Sequence, residues 1–267
     1  MKGFLKGKIK GWLLFVRLYA PVQKAYYRAE FFRRRTDLRV LGISKLFWTP
    51  TPSVYSDIRD SGGERFQLEE FIKHIREGDV VWDIGSSIGI YSLFASHVTG
   101  SHGKVYAFEP EPNSYNFLKR NCKLNKPDNL TLFNFAIGDV NSESYLYSSK
   151  NGCASHSLIC GSNLSRKGVS VRIHSGDYLV EEEKVSFPNV VKIDVEGAEC
   201  KVLSGMHRIL SDPRCRFVLL EVHPKKLLNI GKSPLDIRSN LLDSGFTIIK
   251  EVNRGSEIHF LCSKSTI

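Results

Sequence analysis

The sequence predicts an α/β fold built on a mostly parallel sheet, because short apolar runs alternate with amphipathic helical stretches. The runs are continuous and rich in β-branched residues, which is typical of strands buried on both faces of a sheet. They fall at 80–84, 104–108, 130–135, 190–193 and 217–220. Helices are expected over 67–76, 89–98, 112–124, 197–210 and 233–244.

Two regions depart from this alternation. Runs at 246–250 and 258–262 are separated by a polar turn, which predicts a C-terminal antiparallel hairpin. Residues 143–180 hold two more strand-like stretches, at 145–147 and 169–173, around a loop rich in Gly, Ser and Asn. We therefore expect extra strands in this region.

The chain of 267 residues carries a formal net charge of +10, and this charge is concentrated at the amino end. Residues 1–35 contain five Lys and five Arg against one acid, Glu30, so this segment carries +9. Its longest apolar run, 12–16, is too short to span a bilayer, which needs about 20 residues. No signal-peptide pattern is clear either.

We expect a helical N-terminal extension over 1–62, followed by the main domain over 63–267. Three interpretations of the basic segment stay open: its apolar face packs on the main domain, it lies on an anionic membrane surface, or it binds nucleic acid. Nucleic acid is the least favoured, because the basic cluster is confined to the amino end. The six scattered cysteines form no Cys-x-x-Cys pair, which indicates reduced thiols in a cytoplasmic protein, peripheral to the membrane under the second interpretation.

A glycine turn at 83–89 is the strongest local signal. A buried strand runs into the sequence DIGSSIG, and a helix begins directly after it. Gly85 and Gly89 let a ligand approach the backbone, and the helix N-terminus offers free N–H donors. A dinucleotide enzyme would carry a third glycine, in the pattern G-x-G-x-x-G. This turn, with Asp83 before the first glycine, suits a nucleoside with a carboxylate tail better than a pyrophosphate.

A carboxylate stands at the end of the next predicted strand. Glu109 follows Gly89 by about 20 residues, where nucleotide-binding folds place an acid that accepts hydrogen bonds from ribose hydroxyls. Glu109 could instead be a surface acid or a helix N-terminal residue beside Pro110 and Pro112. Because the glycine turn precedes it, we predict that it binds a ribose.

Five motifs occur in order: DIGSSIG at 83–89, FEPEP at 108–112, FAIGD at 135–139, KIDVEGAE at 192–199 and LEVHP at 220–224. Together they resemble the FkbM-type family of class I S-adenosylmethionine-dependent methyltransferases. The resemblance implies a Rossmann-like sheet, S-adenosylmethionine as the cofactor, and O-methylation of sugars or other small hydroxylated acceptors.

The resemblance also implies roles for single residues. The glycine turn would contact the methionine part of the cofactor, although this chain has Ser86-Ser87 where family members commonly have Ala-Asn. The FEPEP acid would bind the ribose, the FAIGD motif would reach the adenine, and an acid after Gly62-Gly63 would close over the cofactor. The implied cofactor-binding set is Glu64, Asp83, Gly85, Ser86, Gly89, Glu109, Pro110, Ala136, Ile137, Asp139 and Asp194.

Methyl transfer to a hydroxyl benefits from a base that removes the hydroxyl proton. Such a base is expected at the carboxyl ends of the fourth and fifth strands, which form the ligand edge of an open α/β sheet. The predicted catalytic residues are Asp194, Glu221 and His223. The ligand spacing defines no metal site and none is predicted, although an Asp–Glu–His cluster could hold a divalent cation.

Each of these acids has a simpler interpretation. Glu196 and Glu199 are more typical of helix caps or of a helix surface, and Asp194 could also begin a helix. Glu221 is as well explained by an ion pair with Lys192 as by catalysis. A single histidine before a proline, as at 223, is more often a polar turn residue.

Three other functions remain open. An NAD(P)-dependent oxidoreductase shares the predicted fold and the ribose acid, but the missing middle glycine and the KIDVEGAE motif speak against it. A nucleic-acid methyltransferase would explain the basic segment, yet the two acids after the fourth strand would repel phosphates. A membrane-surface adaptor that uses the fold only for binding is the non-enzymatic alternative.

Overall fold

The computed structural model describes residues 34–59, 63–149, 156–157, 164–182 and 184–264. The chain divides into two compact units, Met1–Arg65 and Phe66–Ile267. The predicted boundary at 62/63 stays a prediction, and most of the basic segment lies outside the described residues. No helix among the described residues is long and apolar enough to cross a membrane.

The described part of the smaller unit begins with an antiparallel hairpin of β1 (Arg35–Val40) and β2 (Ile43–Trp48), followed by α1 (Pro52–Arg59). The sequence analysis predicted a helical extension and not this hairpin. Leu41 and Gly42 form its turn with φ of 47° and 84°, the positive values that a two-residue hairpin turn requires. The usual sequence signal for such a turn is Asn or Asp before Gly. This chain has Leu41 at that position, so the turn was not predicted.

The larger unit is built around a sheet of seven strands within the described residues. Its strands are β3 (Val80–Ile84), β4 (Lys104–Phe108), β5 (Leu130–Phe133), β10 (Val190–Ile193), β11 (Phe217–Val222), β12 (Thr247–Arg254) and β13 (Glu257–Ser263). Their spatial order is β12-β13-β11-β10-β3-β4-β5. The strands β11, β10, β3, β4 and β5 are parallel, and β13 pairs antiparallel with both β11 and β12. The predicted parallel sheet and C-terminal hairpin are confirmed.

The centre of this sheet is covered on both faces, which explains the continuous apolar runs. Every residue of β10 and β11 is buried, as are the last four of β3 and of β4. Trp82 and Phe108 lie in the hydrophobic core, with ring centroids 5.2 Å apart. The core therefore fixes where the carboxyl ends of β3, β4, β10 and β11 lie.

Helices alternate with the strands as predicted, but the short helices at 176–181 and 224–228 were not predicted. The helices that follow α1 are α2 (Arg65–His74), α3 (Ile90–Thr99), α4 (Pro112–Asn125), α5 (Gly176–Glu181), α6 (Glu199–Gly205), α7 (His207–Ser211), α8 (Pro224–Leu228) and α9 (Pro234–Asp243). A single helix was predicted over 197–210, but the chain forms two that meet at Met206, where φ is −123°. Gly205 packs so tightly on the Gly138 carbonyl that a Cβ would lie 1.7 Å from its oxygen.

A second sheet, with four strands among the described residues, contains the predicted extra strands. It consists of β6 (Ala136–Gly138), β7 (Ser142–Ser149), β8 (His156–Ser157) and β9 (Leu164–Ser175), in the order β6-β9-β7-β8. The strands extend beyond the predicted stretches, because β7 and β9 pair antiparallel along most of their length. In sequence, this sheet lies between β5 and β10. Its first strand, β6, follows the carboxyl end of β5.

Candidate active site

The glycine turn connects β3 to α3 and packs against the end of the neighbouring strand β10. Gly85 has φ of 76°, and a Cβ added there would lie 1.7 Å from the backbone oxygen of Asp194. Gly89 has φ of 88° and caps α3, where a Cβ would meet the Leu118 side chain at 2.4 Å. Both positions therefore require glycine, and the turn is in direct contact with the backbone of a predicted catalytic residue.

Glu109 faces this turn. Its Oε2 accepts a hydrogen bond from the Ser87 backbone N–H at 2.7 Å, and its Oε1 accepts one from the Glu111 N–H at 2.8 Å. Burial raises the pKa of Glu109 to about 7, although both hydrogen bonds favour the ionised form. A carboxyl group with this pKa changes charge near neutral pH.

Asn134 is a residue that the sequence analysis missed. Its side-chain amide donates to the carbonyl oxygens of Glu109 at 2.8 Å and of Pro110 at 3.1 Å. It thus fixes the backbone of the predicted ribose acid just before β6 begins. A lone Asn after a short strand gave no signal of this function.

Asp83 and Ser86 are both buried at the turn. Asp83 accepts a hydrogen bond from Ser92 Oγ at 2.5 Å, and its other oxygen lies 3.6 Å from the Lys192 amine. Ser86 is 4% exposed, and its hydroxyl has no hydrogen-bond partner among the described residues. Asp83 therefore supports the turn through Ser92 and Lys192, whereas the Ser86 hydroxyl adds no hydrogen bond to it among the described residues.

Lys192 connects the turn to the other half of the site. Its Nζ donates to the Gly85 carbonyl at 2.9 Å and lies 3.3 Å from the Asp194 carboxylate. Lys192 is directly opposite Asp83 in β3, which brings its amine to the turn. Glu221, which the sequence offered either as an ion-pair partner of Lys192 or as a catalytic residue, bonds to His259 at 2.9 Å, and the charge of Lys192 also helps to lower its pKa.

His223 is 6% exposed and surrounded by acids. Its Nδ1 bonds to Glu199 Oε1 at 2.7 Å, while its Nε2 lies 3.4 Å from Glu196 and 3.5 Å from Glu221. Burial alone would lower the pKa of His223, but the bond to Glu199 and the charges of Asp194, Glu199 and Glu221 raise it to about 9. It is thus a buried member of a charged cluster and not a simple turn residue.

A second histidine completes the cluster. His259 is 1% exposed and donates from Nε2 to Glu221, while the side-chain amide of Gln67 lies 3.4 Å from its Nδ1. Burial opposes ionisation of Glu221, but the hydrogen bond from His259 and the nearby charges lower its pKa well below the usual range. The sequence offered no signal for His259, which lies on the C-terminal hairpin.

The two remaining acids of the KIDVEGAE motif differ from each other. Glu199 is fully buried and accepts from the Gly197 N–H at 3.0 Å as well as from His223, so the expectation of a surface role is wrong for it. Glu196 has a positive φ of 55° and forms an ion pair with Lys226.

Metal-ligand atoms also converge here. Asp194, Glu196 and His223 form one group, and Glu221, His223 and Glu257 form another, with ligand atoms within 4.8 Å of one another. Lys192 and Lys226 already neutralise Asp194 and Glu196. We therefore assign no metal to the cluster.

Two of the predicted adenine residues, Ala136 and Ile137, lie on β6. Ala136 and Ile137 are 6% and 2% exposed, and the Ile137 side chain belongs to the hydrophobic core. Asp139 is exposed just beyond the strand. Glu64 belongs to the smaller unit, so its predicted contact with the cofactor stays a prediction.

The parallel sheet, the glycine turn after β3 and the carboxylate after β4 fit a class I S-adenosylmethionine-dependent methyltransferase, and the family match assigns the chain to that class. Residues 83–248 match the Methyltransferase FkbM domain, and the chain belongs to this family. The match decides against the oxidoreductase alternative.

Two curated relatives support this assignment. The chain is 34% identical to the hexuronic acid methyltransferase AglP of Haloferax volcanii, over 73% of this chain and 80% of that protein. It is 26% identical to the 31-O-demethyl-FK506 methyltransferase FkbM of Streptomyces tacrolimicus, over 73% and 85%. Among solved structures, a precorrin-6y C5,15-methyltransferase from Geobacter metallireducens superposes with a TM-score of 0.48 at 15% identity, over 75% of this chain and 89% of that one. This remote likeness indicates nothing about the substrate.

Proposed function

We propose that the protein methylates a hydroxyl group of a sugar or of another small hydroxylated acceptor. The observation that carries the proposal is the contact between two half-sites: the glycine turn, assigned to the cofactor, and the acidic cluster around His223, assigned to methyl transfer. The glycine turn packs on the backbone of Asp194, and the Asp194 side chain lies within the acidic cluster around His223. A hydroxyl at this edge would be adjacent to both the cofactor turn and a base.

The residues of the turn fit S-adenosylmethionine, which when bound supplies a methyl group already activated on a sulfonium. We propose that Glu109 accepts hydrogen bonds from the ribose hydroxyls, because it lies at the carboxyl end of β4 beside the turn. A ligand there would also supply the hydrogen bond that the buried Ser86 hydroxyl lacks among the described residues. Asp83 would hold the turn that binds the methionine part of the cofactor, through its contacts with Lys192 and Ser92.

The adenine would lie against β6, whose first residue follows Asn134, the residue that holds Glu109 and Pro110. Of the predicted adenine residues, the buried Ala136 and Ile137 would form the wall of the adenine site, and the exposed Asp139 would contact the adenine from the solvent side.

His223 is the base that we propose for the acceptor hydroxyl. In-line transfer requires the acceptor oxygen about 3 Å from the methyl carbon, and the protein mainly provides that position. Asp194, partly exposed at the end of β10, would orient the hydroxyl. Glu221, itself bonded to His259, would add negative charge beside His223.

The names of the relatives support the class of acceptor. That of the Haloferax protein supports a sugar acid, and that of the Streptomyces protein supports oxygen as the accepting atom. The acids around His223 would repel a phosphate backbone, and we do not propose a nucleic acid as the acceptor.

We also propose that residues 1–35 contact an anionic membrane surface, on the strength of their charge of +9 alone. The full chain should sediment with vesicles that contain phosphatidylserine and not with neutral vesicles. Equal recovery in the supernatant with both would reject the proposal.

The affinity for S-adenosylhomocysteine should increase as pH rises through about 7. The reason is that ribose hydroxyls stabilise the ionised form of Glu109, whose pKa without ligand is about 7. Replacing Glu109→Gln should weaken binding at pH 8 by about 1–3 kcal/mol and flatten the pH dependence. Calorimetric titration between pH 5.5 and 8.5 measures both effects. Glu77→Gln, at the opposite edge of the sheet, is the control; identical pH dependence in wild type and Glu109→Gln would refute the ribose assignment.

Methyl transfer to a β-glucuronide and to the matching β-glucoside should give an alkali-stable methyl ether in at least one case. The substitution His223→Gln should lower kcat by about 10²–10⁴-fold, the contribution of general acid–base catalysis, without changing the affinity for S-adenosylhomocysteine. His207→Gln, an exposed histidine, is the matched control. Because a carboxylate acceptor has no proton to remove, an alkali-labile methyl ester as the sole product would contradict the proposal.

A further inference from the structure

We infer that Glu199 is the positioning residue of the transfer site: its buried carboxylate holds the His223 ring by Nδ1, so that Nε2 faces the acceptor hydroxyl. The inference rests on the proposed function for the role of His223. The hydrogen-bond arrangement that it assigns can be measured without any acceptor.

The contact between Glu199 and His223 is short and shielded from water. Glu199 Oε1 lies 2.7 Å from Nδ1 of His223, and the two side chains are 0% and 6% exposed. The same oxygen accepts the Gly197 backbone N–H at 3.0 Å. The carboxylate is therefore anchored by the turn that follows β10, and the imidazole is anchored by the carboxylate.

The other ring nitrogen makes longer contacts. Nε2 lies 3.4 Å and 3.5 Å from the carboxylates of Glu196 and Glu221, longer than the 2.7–3.2 Å of a good hydrogen bond. When Nδ1–H donates to Glu199, the neutral ring carries its lone pair on Nε2. This is the tautomer that can take a proton from a hydroxyl at the strand edge.

A purely structural role does not account for Glu199. Asp177, which does cap a helix, uses both oxygens for backbone groups, the N–H of Arg208 and that of Ile209. Glu199 gives one oxygen to a backbone N–H and to His223, while its Oε2 is buried with no hydrogen-bond partner among the described residues. Leaving a buried carboxylate oxygen unsatisfied is unfavourable for folding and indicates a functional constraint.

Charged groups face His223 from every element around it. These are Glu199 on α6, Asp194 and Glu196 after β10, Glu221 on β11, Glu257 on β13 and Lys226 on α8. Burial lowers the pKa of His223, and among the groups that raise it the bond to Glu199 is the largest. Removing this one charge should therefore lower the pKa while the other acids remain.

The test is a nitrogen NMR titration of the full chain labelled with ¹⁵N-histidine, without acceptor. In the wild type, neutral His223 should carry its proton on Nδ1, and its pKa should be about 9. In Glu199→Gln, which keeps the shape of the side chain, the pKa should fall by about 1–3 pH units and the preference for Nδ1–H should be lost. Glu181→Gln, an exposed acid paired with Arg208, should change neither.

Kinetics give a second readout that a structural role would not move. Because the base form of His223 carries the reaction, kcat should rise with pH through its pKa. In Glu199→Gln the midpoint of the kcat–pH profile should move to lower pH. The value of kcat at the high-pH plateau should fall by roughly 10²-fold, because the His223 ring loses its orientation. The affinity for S-adenosylhomocysteine should stay within about twofold of wild type, since Glu199 is not assigned to the cofactor.

A wild-type His223 with its neutral proton on Nε2 would overturn the inference, even if Glu199→Gln does not fold. So would an unchanged pKa in a folded Glu199→Gln protein. A failure of the proposed function looks different, because sugars would then go unmethylated while the NMR result for Glu199 and His223 still holds.

Discussion

The rest of the site depends on the contacts of one buried amine, that of Lys192. It donates to the Gly85 carbonyl in the cofactor turn, lies beneath Asp83, and contacts Asp194 at the transfer edge. Two neighbouring parallel strands bring these groups together, and the absent side chain of Gly85 lets the turn close onto the Asp194 backbone. The contact between the glycine turn and the end of β10 would therefore position both the cofactor and the acceptor.

Around this centre, each ionisable group has a partner that sets its state. Glu109 lies against backbone N–H groups of the turn and titrates near neutral pH. His223 and His259 each bind a buried carboxylate, Glu199 and Glu221 respectively. The half of the site assigned to the cofactor thus uses backbone donors, and the half assigned to transfer uses pairs of side chains. This division suits a reaction in which the methyl group arrives activated and only the acceptor proton must be moved.

Local sequence signals were sufficient for the sheet and the glycine turn, because apolar runs and short motifs report directly on neighbouring residues. Pairs distant in sequence were not predictable: Glu199 and His223 are 24 positions apart and meet only when β11 lies beside β10. The pairing of Lys192 with Asp83 has the same origin, because strand order places the two residues opposite each other in β10 and β3. The hairpin at Leu41 was missed because its turn lacks the usual Asn or Asp, and the broken helix at Met206 depends on packing against β6.

The central role of Lys192 is tested most directly by a double-mutant cycle in equilibrium denaturant unfolding, with Lys192→Met, Asp83→Asn and the double variant. Lys192→Met leaves the carboxylate of Asp83 buried without its cation, which should lower the free energy of unfolding by about 3–5 kcal/mol. The double variant should recover more than about 1 kcal/mol relative to the sum of the single losses. Additive losses would contradict the account, because they would show that the Lys192 amine and the Asp83 carboxylate do not stabilise each other.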